Sequence, residues 1–130
     1  AEKPDKKGGT QTRVNGPQVE LEHSPGQTGY IYGEAMGGGW RSPEPRGKDR
    51  SLREHSALMN DDWNQVRILA EGPRIRTWIN AQLIADLTDE AAYASHPEGF
   101  LGLQIHSHKV DGDEVEWRNI RIRELNTAAK

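Results

Sequence analysis

Gln104, His106 and His108 stand at alternate positions of one segment, GFLGLQIHSH (99–108). Side chains two apart on a strand point to the same face. Both imidazoles can therefore reach a single ion, with the amide beside them. Glu20 and Glu22 alternate in the same way with Val19 and Leu21 in PQVELEHS (17–24). Imidazole combined with carboxylate suits Zn, Mn or Fe, so a Glu/His metal site follows if the two segments lie close. Without that closeness the same residues are the polar side of a solvated sheet. Tyr30, Tyr32 and Trp40 offer aromatic faces that cover the apolar C–H side of a sugar ring. Trp63, Trp78 and Trp117 read as structural. Arg67 and Arg118 can bind sugar hydroxyls or an enolate, or pair with surface carboxylates. Gly37-Gly38-Gly39 lacks the Lys-Ser/Thr that follows in a phosphate-binding loop. No Ser–His–Asp pattern is present, and with no Cys there is no thiol chemistry, disulfide or Cys-ligated zinc.

The segments that carry these residues read as strands. In GFLGLQIHSH, Leu101, Leu103 and Ile105 take one face while Gly102, Gln104, His106 and His108 take the other. TGYIYG (28–33) and WNQVRILA (63–70) are two more β runs. RIRTWIN (74–80) and QLIADL (82–87) flank Asn80-Ala81 as a tight hairpin. Its turn demands a positive φ that Ala adopts only at a cost. DEAAYA (89–94) has the composition of one helical turn. EVEWRNIRIREL (114–125) is the last strand. Its apolar phase changes near Arg118, which a bulge or burial on both faces explains. Residues 33–51 are a Gly- and Pro-rich loop that carries Trp40. Residues 1–16 are polar and without period, and read as a flexible terminal segment.

Several short strands at roughly ten-residue spacing argue for one antiparallel β-sandwich domain. It extends over 17–125, with 126–130 as a tail. Valines, leucines and isoleucines at 19, 21, 66, 68, 101, 103 and 105 are its expected core. The 130 residues fit a single domain. Hydrophobic residues make up 33% of the chain, so that core is lean. A net charge of −3 offers nothing to a nucleic acid. No apolar run is long enough for a membrane span, and nothing points to a nucleotide or haem.

The ordered set GPQVELE, TGYIYG, WNQVRI, TWINAQLIADL, GFLGLQIHSH and WRNIRIREL resembles the 3-keto-disaccharide hydrolase domain, formerly domain of unknown function 1080. The resemblance runs from Val14 to Leu125. It implies an all-β, concanavalin A-like jelly roll acting on 3-keto-glycosides. In such a substrate the C3 ketone acidifies the C2 proton, a base removes it, and the aglycone leaves C1 before water adds. A divalent metal (Mn, Zn or Ca) stabilises the enediolate. The resemblance places His106, Glu20 and Gln104 at the catalytic centre and His106, Glu20 and His108 at the metal. Trp40, Tyr32, Arg67 and Arg118 are, from their side-chain chemistry, the candidates to contact the substrate. The base stays open among His108, Glu22 and His23. It also implies a bacterial, periplasmic or secreted setting. Alternatives are a lectin-like carbohydrate-binding module and an assembly module completed by strands of another chain. Two departures stand out. The hairpin reads Asn-Ala where the family has Asn-Gly. The chain also lacks the family's first strands, so another chain or copy is expected to supply them.

Overall fold

A computed structural model describes residues 2–4, 10–37, 39–42, 54–106, 109 and 111–125. The chain divides into two compact units, Ala1–Pro97 and Glu98–Lys130. The first is all-β with antiparallel sheets and one short helix. Strands β1 (Glu2–Pro4) and β2 (Thr10–Thr12) pair with each other, where the sequence suggests only a flexible segment. β3 (Gly16–Val19) pairs with β4 (Ile31–Glu34). β5 (Val66–Glu71), β6 (Arg74–Ile79) and β7 (Gln82–Thr88) form a meander, followed by helix α1 (Glu90–Ser95).

The core lies between the β3–β4 layer and the β5–β7 layer. Ile31, Ala85 and Leu87 are its buried centre, with Val19, Tyr30 and Ile75 packed against them. The strand period sends Ile75, Thr77 and Ile79 of β6 inward and Arg74, Arg76 and Trp78 outward. Thr77 is fully buried, yet its hydroxyl donates to the Gly29 carbonyl at 2.6 Å and accepts from the Ala85 N–H at 3.1 Å. These bonds satisfy the hydroxyl and tie the two layers together. At Gly29, φ is +92° and a Cβ would stand 2.9 Å from Ile84 Cβ, so only Gly lets the layers approach this closely.

One charge pair crosses this interior. Arg41 Nε and Nη2 both meet Asp89 Oδ2, at 2.7 and 2.5 Å, with each side chain only 4% exposed. Asp89 also caps α1, its Oδ1 accepting from the Ala92 N–H at 3.0 Å. Gly33 makes room for Arg41, since a Cβ there would lie 2.9 Å from Arg41 Cδ.

The β6–β7 turn is as tight as its sequence predicts. Asn80 and Ala81 have φ of 49° and 68°, a primed two-residue turn. The Asn80 side chain stitches it to the preceding loop. Its Nδ2 donates to the Ala57 carbonyl and to Asn64 Oδ1, and its Oδ1 accepts from the Gln65 N–H. Asn64 in turn bonds the Met59 N–H and carbonyl. Asn64 and Asn80, which stand in the WNQVRI and TWINAQLIADL motifs, are therefore loop and turn builders.

Other expectations need correction. The segments expected as strands over 99–108 and 114–125 carry no strand among the described residues. There Leu101, Leu103 and Ile105 are 49–77% exposed instead of buried. Alternation decides which face a strand would bury, but a strand also needs a ladder partner, and no described residue pairs with these. The phase change near Arg118 has a backbone counterpart, since Asn119 has φ of 53°. That left-handed residue turns the chain between Trp117 and Ile120. Ile68 is 46% exposed instead of buried. Val19, Leu21 and Val66 are only half-buried. The segment 126–130 lies outside the described residues.

Two outcomes follow. Asp89→Ala should destabilise the fold by about 3–5 kcal/mol, because it strands a buried guanidinium as well as uncapping α1. Arg41→Met with Asp89→Asn should cost less than that single change; urea unfolding measures both. Ala81→Gly should stabilise by about 1 kcal/mol, since Gly adopts the left-handed turn without the Cβ clash. An unchanged urea midpoint would contradict that account of the turn.

Candidate functional site

The β3–β4 layer gathers several of the residues singled out by sequence. Gln18 stands opposite Tyr32 in the ladder, so their side chains share one face. Gln18 Nε2 donates to Glu20 Oε2 at 3.0 Å, which draws the carboxylate onto that face. The backbone of Tyr32 also bridges to Trp40. Their rings meet edge to face, centroids 5.3 Å apart and 84° between planes. Gln18, Glu20, Tyr32 and Trp40 are all half-buried. Burial of Arg41 fixes this arrangement: with Arg41 turned inward to Asp89, its neighbour Trp40 must face outward. The face thus combines a carboxylate, an amide donor and two aromatic rings. These can take a proton or a hydroxyl, orient a hydroxyl, and cover the C–H side of a ring.

The other candidates are placed elsewhere. Glu22 builds a loop: its Oε1 accepts from the Gln27 N–H, and its backbone N–H and carbonyl both bond the Thr28 hydroxyl. That carboxylate is engaged locally, while His23 is exposed beside it. Tyr30 packs on the core and meets the His55 ring edge-on, centroids 5.9 Å apart. His55 Nε2 lies 2.8 Å from the Thr28 carbonyl, and its Nδ1 accepts from the Ala57 N–H. A carbonyl only accepts, so Nε2 donates there, and both ring nitrogens are engaged in holding the loop. Arg67 stands opposite Trp78 on the outward face of the β5–β7 sheet, away from the Tyr32–Trp40 pair. Gln104, His106 and Arg118 belong to the second unit, where His106 and Arg118 are exposed and engaged in interactions of their own. His108 lies outside the described residues. Among the described residues no three His, Asp or Glu side chains come together to hold a metal.

The family model of the 3-keto-alpha-glucoside-1,2-lyase-like domain matches residues 2–123. The chain belongs to this family. Comparison with curated proteins and with solved structures gave no match. Family membership agrees with the all-β fold and with a chemistry of keto-sugars, and it extends the resemblance over β1 and β2.

Sequence reasoning missed two members of these faces. Gln18 was legible as the residue two before Glu20, on the same side of the strand. Trp78 was read as structural, yet the β6 period turns it outward, where Arg67 lies 4.7 Å and Arg76 5.8 Å from its ring centre. Farther along this face Arg74 holds Asp86 in a two-pronged pair at 2.8 Å. The hydrogen bond from Arg74 holds the Asp86 carboxyl below its ordinary value, and the same bond raises Arg74. A depressed carboxylate stabilises the fold above its ordinary value and loses that contribution as pH falls through the lowered one. The wild type should therefore lose stability below about pH 4, and Asp86→Asn should flatten that limb. Parallel unfolding curves at pH 3 and pH 6 would refute this.

Proposed function

We propose that the chain binds a 3-keto-glycoside against the Glu20 face and cleaves it by elimination, with Glu20 as the proton acceptor. One observation carries this reading: a carboxylate, an amide and two crossed aromatic rings share one outward face of the β3–β4 layer, in a chain whose family acts on 3-keto-glucosides. Trp40 and Tyr32 cover the apolar side of the pyranose and fix its height above the sheet. Gln18 orients the Glu20 carboxylate by donating to one of its oxygens. Glu20 takes the C2 proton, and the C2–H electron pair passes to the C3 oxygen as an enolate. When that pair returns to re-form the ketone, a C1–C2 double bond forms and the C1–O bond breaks. The aglycone leaves as an alkoxide and recovers the proton from Glu20. Addition of water across the new double bond then completes a net hydrolysis. General-base catalysis contributes on the order of 10²–10⁴-fold, which sets the scale of the test.

The test is release of the aglycone from a 3-keto-glucoside, followed alongside binding. Glu20→Gln should lower kcat at least about 100-fold while binding persists, and Trp40→Ala should chiefly raise KM. If the wild type binds the keto-glycoside without turning it over, the face is a lectin-like binding surface. Full turnover by Glu20→Gln would remove Glu20 from the chemistry.

A further inference from the structure

The outward face of the β5–β7 sheet carries a second constellation. Gln65, Arg67, Trp78 and Ala81 line a hollow of about 370 Å³ at the β6–β7 turn, near the lower end of the range for small-ligand sites. The two other arginines of the meander are neutralised: Arg74 pairs with Asp86 and Arg76 with Glu71, at 2.8 and 2.6 Å. Arg67 has no carboxylate partner among the described residues. It lies instead over the Trp78 indole, its Cζ 4.7 Å from the ring centre, which supports a cation without cancelling its charge. Arg76 Nε lies buried beside Trp78 without a hydrogen-bond partner among the described residues. The backbone of Gln65 is spent on Asn80, and its side-chain amide remains for a ligand.

We infer that this hollow binds a carboxylate-bearing sugar of the uronic acid class. Arg67 receives the carboxylate through its planar fork, Gln65 the ring hydroxyls, and the open part of the indole the ring's C–H side. The inward-turned residues of β6 separate this site from the Glu20 face, so it stands independently of the proposed reaction.

The experiment titrates the full chain with D-glucuronate, D-glucose and acetate at equal concentrations. It follows the Trp78 indole N–H and Arg67 Nε–H resonances by NMR. Glucuronate should shift both saturably and more strongly than either control. Arg67→Gln should weaken it at least tenfold, and Arg67→Lys should restore only part, because charge returns without the fork. Glu20→Gln should leave glucuronate binding intact. Arg67 is exposed, so an unchanged urea midpoint verifies that its variants fold. Glucose binding as well as glucuronate would show that the charge is irrelevant. Acetate binding as well would show that the sugar is. Either result, or no shift at all, overturns the inference.

Discussion

The Arg41–Asp89 pair holds the tertiary order of the first unit together. Its partners are 48 residues apart, so it closes a long loop that the lean aliphatic core would otherwise have to hold. A buried ion pair seldom adds net stability, because each charge gives up its water. Its contribution here is geometric. Asp89 is fixed twice, by the guanidinium and by the Ala92 N–H, so the start of α1 and the strand-like segment at 39–42 have one relative position. Only Gly33 leaves room for the stem that connects them. Since neighbouring residues of an extended chain face opposite ways, drawing Arg41 inward is also what presents Trp40 to solvent.

Much of this was legible in the sequence where contacts are local. The β5–β7 meander follows from alternation and from two turns. Asn80-Ala81 reads as a primed turn even without Gly, and the helical turn reads from the composition of DEAAYA (89–94). What escaped was decided at long range. Nothing near Arg41 announces that its charge is buried, because its partner lies across the core. The roles of Asn64 and Asn80 were hidden for the same reason: an amide that bonds three backbone or side-chain groups looks, in one dimension, like an exposed polar residue. The apolar alternation of 101–105 and the isoleucines at 120 and 122 show the converse. Period describes what a strand would bury, and pairing decides whether it exists.

The candidate site divides along the same line. Gln18, Glu20 and Tyr32 were within reach of sequence reasoning because a ladder with constant register puts them on one side. Grouping Arg67 with them ignored the core in between. Val66 and Ile68 belong to the inward phase of β5, so Arg67 must belong to the outward one, and it is paired there with Trp78 by register. The inward phase of β4 is set by Ile31, which is fully buried, and this sends Tyr32 to the far side. Two strands with opposite outward directions cannot offer their polar residues to one small ligand.

That separation gives the first unit two chemically distinct outer surfaces. On the β3–β4 side, Glu34 is matched by Arg13, and Gln18 donates to the carboxylate of Glu20. That surface can accept protons and hydroxyl donors. On the β5–β7 side two carboxylates are matched by two arginines, and the third arginine is stacked on an indole that does not neutralise it. That surface favours an anion. A keto-sugar presents an acidic C–H and neutral hydroxyls, which suit the first surface and gain nothing from the second. A sugar carrying its own carboxylate would be drawn to Arg67. The apolar layer that makes the fold stable therefore also sorts ligands by charge, because it fixes which strand phase each ionised group must occupy.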